Sequence, residues 1–300
     1  MNLLVTGAWG DAREHIEELE KMGHRVVFLQ KESDPLPVEP QWVEGLVCNG
    51  IFLHHHIGLF SNLRYIQLTS AGFDRVPMAE VERRGIAIFN ARGVYAIPMA
   101  EFALCGVLQL YKHTRHFEEN RKNRSWNKHR ELLELFGRQV TVVGCGNIGT
   151  ECAKRFAALG CNVSGVDIEE RELPYFEKVY PISRIQEILP CSDVVVLTLP
   201  LTEQTHHLFD GQLLGKMKPG AVLVNISRGG IVDTNALESA LQSHLGGAVL
   251  DVFEEEPLPQ NACLWDMENV IATPHNSFVG EGNARRLAQV IFANLQKAPE

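Results

Sequence analysis

Residues 139–159 constrain this chain more tightly than any other stretch. The apolar run Val140-Thr141-Val142-Val143 leads straight into Gly144-Cys145-Gly146-Asn147-Ile148-Gly149, and a helical pattern follows from Thr150 to Leu159. Strand, glycine turn and helix in that order open a parallel α/β unit. The first glycine allows the tight turn, the second lets a phosphate approach the backbone, and the third lets helix pack on strand. The amides around Gly146, Asn147 and Ile148 are then expected to face a pyrophosphate, helped by the helix dipole.

Asp167 ends the next apolar run. A carboxylate there accepts hydrogen bonds from both ribose hydroxyls and repels a 2′-phosphate, so NAD is expected in preference to NADP. Methyltransferases also place a glycine loop before an acidic strand end. The third glycine and the strands that follow favour a dinucleotide.

Strand and helix patterns alternate almost throughout, the signature of parallel sheets covered by helices. The first half has apolar runs at Asn2–Thr6, Arg25–Leu29, Gly45–Cys48, Tyr65–Thr69 and Ile86–Asn90. Pro98 is expected to open one long helix through about His116, apolar on more than one face and so buried between domains or subunits. The arginine-rich segment Glu118–Arg130, with Trp126 alone in it, reads as an exposed excursion. A second series follows at Gln139–Val143, Asn162–Val166, Val194–Leu199, Ala221–Ile226, Ala248–Val252 and Val270–Ala272, with a closing helix at Asn283–Leu295. The chain's 300 residues exceed what one core usually supports, so two α/β domains are expected.

Composition narrows the partners. With 28 basic residues against 37 acidic and a net charge of −9, nucleic acid is not expected as a partner. No apolar run reaches bilayer length, so no membrane partner is expected, and the N-terminus lacks the basic flank of a signal peptide. Seven scattered cysteines without a CxxC pair point to reduced thiols in the cytoplasm, and Cys145 reads as a small apolar filler.

Three residues sit just past the ends of later strands. Arg228 lies in Asn225-Ile226-Ser227-Arg228-Gly229-Gly230, Glu256 in Asp251-Val252-Phe253-Glu254-Glu255-Glu256-Pro257, and His275 in Thr273-Pro274-His275-Asn276. Ligands of open α/β sheets bind outside the carboxyl ends of the strands. Keto reduction needs a proton donor, which histidine supplies; a carboxylate beside the imidazole orients it; a guanidinium holds carboxylate and keto oxygens. Singly, each could be a surface arginine, a solvated acidic turn or a capped loop histidine. Together, downstream of a dinucleotide loop, they read as catalytic.

These motifs, with Leu199-Pro200-Leu201-Thr202, resemble the NAD-dependent D-isomer-specific 2-hydroxyacid dehydrogenases over nearly the whole chain. The resemblance implies Arg228, Glu256 and His275 as catalytic residues, Asp251 beside the nicotinamide amide, and Pro200 and Ser227 as further cofactor contacts. It implies a flavodoxin-like substrate domain of residues 1–94 and 279–300, and a Rossmann NAD-binding domain of residues 95–278. Ser70, Ala71 and Gly72 would hold a substrate carboxylate, although an ordinary strand-to-helix turn fits those residues nearly as well. Glu101 is read as structural. Trp126 resembles a residue that reaches across a homodimer in some members. A C-terminal regulatory domain of the kind some phosphoglycerate dehydrogenases carry is not expected, and Phe278, where the commoner pattern has small residues, is expected to shape the pocket.

His54-His55-His56 invite a metal, but adjacent histidines rarely share one ion, and none is expected; the three could still rim the pocket. A 2-keto acid reductase is the favoured reading. Glu256 argues against formate oxidation, since the formate enzymes carry glutamine there, and leaves phosphite oxidation open. An NAD(H)-sensing scaffold like the C-terminal-binding corepressors shares fold and trio, but needs tails beyond Leu295–Glu300. The substrate itself is not legible: glyoxylate, hydroxypyruvate, pyruvate and branched 2-keto acids all fit.

Overall fold

A computed structural model describes residues 1–297. The chain forms two compact units, Met1–Tyr95 with Gly280–Glu300, and Ala96–Val279. Both junctions lie one residue beyond the positions expected from sequence.

The first unit holds β1 (Asn2–Thr6), β2 (Arg25–Leu29), β3 (Gly45–Cys48), β4 (Tyr65–Leu68) and β5 (Ala87–Phe89). All pair in parallel, in the order β2-β1-β3-β4-β5. Residues alternate across each strand, so Leu3, Val5 and Val47 enter one core while Leu4, Leu46 and Cys48 enter another. Helices α1 (Ile16–Lys21) and α2 (Met78–Arg84) cover these faces. The last described helix returns to this unit: its Leu287, Ile291 and Leu295 join Leu3, Trp9 and Tyr65. Each such side chain contributes about 1.5–3 kcal/mol through burial.

In the second unit, α3 (Ala96–Tyr111) and α4 (Thr114–Lys122) precede β6 (Gln139–Val143), α5 (Asn147–Ala158), β7 (Asn162–Asp167) and β8 (Lys178–Pro181). Then come α6 (Ile185–Ile188), β9 (Val194–Leu197), α7 (Gly211–Leu214), β10 (Val222–Asn225), α8 (Thr234–Ser243), β11 (Gly247–Leu250) and β12 (Val270–Ala272), and the returning helix is α9 (Asn283–Leu295). The seven strands are parallel in the order β12-β11-β10-β9-β6-β7-β8.

Four sequence expectations are corrected here. The long helix is two: His113 takes a left-handed conformation, with φ of 47°, and separates α3 from α4. The residues there, Lys112-His113-Thr114-Arg115, have nothing apolar to bury. The expected excursion from Glu118 begins as helix, because α4, which buries no residue, is laced by pairs such as Arg121–Glu118 at 2.6 Å. β8 leaves no apolar run in the sequence, because only its Val179 is buried and Pro181 ends it. β9, β10 and β11 also stop short of Leu199, Ile226 and Val252. The chain leaves the sheet at those points to build the loops described next.

Candidate active site

Gly144, with φ of 98°, turns the chain out of β6, and the Thr198 hydroxyl donates to its carbonyl at 2.5 Å. Gly149 rests on that same carbonyl, where an added Cβ would lie 2.1 Å from the oxygen. Gly146 is the opposite case: it is exposed, and a Cβ there would meet nothing within 4 Å. Two glycines thus lock the loop and the one between them leaves open space at the start of α5. The amides of Asn147 and Ile148 begin that helix and have no intrahelical acceptor.

Asp167 stands beside this opening. Its Oδ2 accepts from the Cys145 amide at 3.1 Å and from Arg171 at 2.6 Å, and its Oδ1 accepts from the Ile168 amide at 2.8 Å. Burial, and secondly the charge of Asp167, push the Cys145 thiol up to about 12. It is a neutral filler of the turn, not a nucleophile. An open glycine amide, a helix start and a strand-end carboxylate together fit a dinucleotide.

The loops after β10, β11 and β12 form a second cluster. His275 Nδ1 lies 2.9 Å from Glu256 Oε2, and Glu256 Oε1 accepts from the Phe253 amide at 3.1 Å. A carboxylate only accepts, so Nδ1 carries the hydrogen and Nε2 remains for proton exchange. His275 has φ of 50°, a left-handed backbone for which its surroundings compensate. Its amide donates to the Asp251 carbonyl at 2.8 Å. The Asp251 carboxylate is fully buried and accepts from the Thr273 hydroxyl at 2.7 Å and from the Asn276 and Ser277 amides at 2.8 Å each. Asp251 therefore clamps the segment that presents His275. Phe278 sets its ring edge to face against His275, with centroids 6.3 Å apart.

Arg228 follows β10 in extended conformation, and its Nη1 donates to the Ser227 carbonyl at 2.8 Å. Asn225, buried under this loop, accepts from the Ser227 hydroxyl at 2.7 Å and donates to the Arg228 carbonyl at 3.1 Å. The next residue, Gly229, packs so closely that a Cβ would fall 1.9 Å from the Phe253 carbonyl. Only glycine lets the Arg228 loop rest on the loop that carries Glu256. That second loop is pinned again by Glu254, whose carboxylate accepts from the Thr234 amide at 2.7 Å and meets His207 Nε2 at 2.5 Å. Burial alone would raise the Glu254 pKa; the bonds from Thr234 and His207 outweigh it and hold the carboxyl below its usual range.

The structure thus joins Glu256 to His275 directly and ties the Arg228 loop to theirs through Gly229. Pro200 is exposed past β9, its carbonyl accepting from the Thr205 hydroxyl at 2.7 Å. Ser70, Ala71 and Gly72 lie in the first unit, where all three carbonyls are engaged: by the Ala91 amide at 2.9 Å, by Asn90 Nδ2 at 2.6 Å and by the Ser70 hydroxyl at 3.1 Å. Among the described residues the amides of Ala71 and Gly72 donate to none of these partners or to any other backbone carbonyl. Of the adjacent histidines, His55 turns to the Asp34 carbonyl and His56 accepts from the Gly58 amide. Thr198, Asn225, Gly229, Glu254, His207 and Arg171 support the cluster, and sequence reasoning assigned none of them a role. Gly229 and Asn225 at least stood inside a quoted motif. A cavity of about 440 Å³ lies elsewhere, lined by His113, His116, His129, Gly220, Gly246 and Asn269. It sits at the amino ends of β10 to β12, away from the strand ends where ligands of such sheets bind.

The model of the D-isomer specific 2-hydroxyacid dehydrogenase NAD-binding domain matches residues 104–277. The chain belongs to that family. An (S)-sulfolactate dehydrogenase of Chromohalobacter salexigens is 34% identical over 242 residues, 80% of this chain and 78% of its own. A glyoxylate reductase of Thermofilum pendens is 35% identical over 243 residues, 78% of this chain and 71% of its own. The crystal structure of a D-isomer specific 2-hydroxyacid dehydrogenase family protein from Aeromonas salmonicida subsp. salmonicida superposes with a TM-score of 0.83 at 31% identity, covering 99% of this chain and 96% of that one. As a D-isomer specific 2-hydroxyacid dehydrogenase, the chain is an NAD-dependent oxidoreductase acting on a CH–OH carbon. No helix among the described residues is long and apolar enough to cross a membrane.

Proposed function

We propose that this dehydrogenase works chiefly as a reductase of a small 2-keto acid, with His275 as proton donor, Glu256 orienting it and Arg228 holding the substrate's oxygens. The observation that carries this reading is the 2.9 Å contact between His275 Nδ1 and Glu256. It favours the tautomer with hydrogen on Nδ1 and leaves Nε2 to protonate an alkoxide. The Arg228 guanidinium is suited to a carboxylate and to the charge growing on the keto oxygen. The bound dinucleotide supplies the hydride. Its pyrophosphate falls to the amides of Gly146, Asn147 and Ile148 around the turn made by Gly144 and Gly149, and its adenosine ribose to Asp167. Asp251, Ser227 and Pro200 complete the nucleotide side. The unengaged amides of Ala71 and Gly72, with Ser70, take the substrate carboxylate. The working form is a homodimer, to which the almost fully exposed Trp126 contributes an aromatic anchor.

Loss of NADH absorbance against a panel of 2-keto acids, with NADPH in parallel, tests this. Turnover on a panel member with NADH supports it. Measurable NADH binding with silence across the panel would overturn it.

A further inference from the structure

The first unit's strand order reverses between β1 and β3, and in such sheets the ligand crevice opens at the carboxyl ends of the strands flanking the reversal. Here that place is already filled. Glu32, three residues past the end of β2, reaches across β1 to the end of β3. The Thr6 hydroxyl donates to its Oε1 at 2.8 Å, the Asn49 amide to the same oxygen at 2.7 Å, and the Gly50 amide to its Oε2 at 2.6 Å. The donors that could receive an anion are thus taken by the protein's own carboxylate. Asn49 Oδ1, also at this rim, is a buried acceptor without a hydrogen-bond partner. The charge of Glu32 is felt nearby: burial first, and Glu32 second, push the Cys48 thiol up.

We infer that Glu32 is a specificity-determining residue that restricts this enzyme to 2-keto acids whose carboxylate is their only anionic group. This rests on the reductase reading and on a carboxylate held at Ser70–Gly72, just past β4. β3 is the neighbour of β4, about 4.8 Å away, and a substituent on the substrate's third carbon spans that distance. A neutral methyl or hydroxymethyl group meets the rim without penalty. A phosphate or sulfonate meets a half-buried carboxylate that already holds the Thr6 hydroxyl and the Asn49 and Gly50 amides.

Two substrate pairs differing only in the distal group provide the test: hydroxypyruvate against 3-phosphohydroxypyruvate, and pyruvate against 3-sulfopyruvate. Wild type should favour the singly charged member by on the order of a hundredfold in kcat/KM. Glu32→Gln, which keeps the reach and removes the charge, should narrow that ratio to about tenfold or less, by raising the doubly anionic substrate. A merely structural glutamate would lower both members together. Wild-type preference for the phosphorylated or sulfonated member would overturn the inference, as would an unchanged ratio in Glu32→Gln. Loss of a wild-type phosphate preference in Arg75→Gln would assign the rim to Arg75, whose stem passes beside Gly50. Should no 2-keto acid be turned over, the reductase reading fails by itself. Glu32 is then tested by thermal melting in inorganic phosphate, where phosphate should stabilise Glu32→Ala and not wild type. Equal stabilisation of both would overturn the inference.

Discussion

The two sheets carry the same device at their reversal points and use it in opposite ways. In each, a carboxylate stands at or just past the end of the unit's second strand: Asp167 on β7 and Glu32 after β2. Asp167 bonds the Cys145 amide from the neighbouring β6 loop and goes no further, so the opening over Gly146 stays clear. Glu32, one methylene longer and three residues past its strand, crosses β1 and closes on the amides beyond β3. A single side chain's reach thus decides whether a doubly wound crevice is left open or fills itself.

That contrast can be broken at several points. The largest effect belongs to the proposed proton donor. His275→Ala should cut kcat by about 10²–10⁴-fold while NADH affinity by fluorescence titration stays nearly constant. Equal losses in both would move His275 from proton donor to nucleotide support. Next, Gly146→Val should fill the open crevice, weakening NADH by about a hundredfold or more with an almost unchanged melting temperature, since its Cβ meets nothing. Tight NADH binding by this variant would place the pyrophosphate elsewhere.

A smaller effect concerns the carboxylate itself. Asp167→Ser should shift the ratio of NAD to NADP efficiency by about ten- to a hundredfold toward NADP, because it removes the repulsion and leaves Arg171 to meet a 2′-phosphate. An unmoved ratio would show that other residues read the ribose.

The smallest effect lies at the opposite end of the same strands. Asp193 accepts from the Gln139 amide at 2.9 Å and from Lys218 at 2.7 Å, tying the amino ends of β6 and β9. Burial raises its pKa, but the bonds from Lys218 and Gln139 and the charge of Arg138 prevail, and the folded value lies below the ordinary one. A lowered carboxyl pKa contributes stability above the unfolded value and loses it as pH falls through the folded value. Asp193→Asn should therefore cost about 1–3 kcal/mol at neutral pH by denaturant titration, with the gap from wild type closing below about pH 4. A gap independent of pH would make the loss one of packing, not of charge.

Much of this was legible because its signals are local. The glycine turn, its strand and its helix occupy some twenty consecutive residues, and their spacing alone dictates which glycine must turn, which must pack and which must stay open. The strand-end positions of Arg228, Glu256 and His275 followed from apolar runs just before them. What was not legible joins residues far apart in the chain. Thr6 and Glu32 are 26 positions apart, His207 and Glu254 are 47, and Thr198 reaches back 54 to Gly144. β8 escaped notice because one buried residue makes no period. The break at His113 escaped because a helical apolar pattern does not announce where its partner surface ends.

The sequence by itself determined the alternation of strands and helices, the place of the glycine turn and the titratable residue types at the strand ends, because each depends on near neighbours and on side-chain chemistry. Only the tertiary structure decided that Glu254 and Gly229 fasten the Arg228 and Glu256 loops together, that Asp251 is buried as a clamp, and that one reversal point is open while the other is filled. Those outcomes turn on which donors lie within about 3 Å of a carboxylate once the strands have paired, and hydrogen bonds fall off too steeply with distance for any one-dimensional pattern to carry that information.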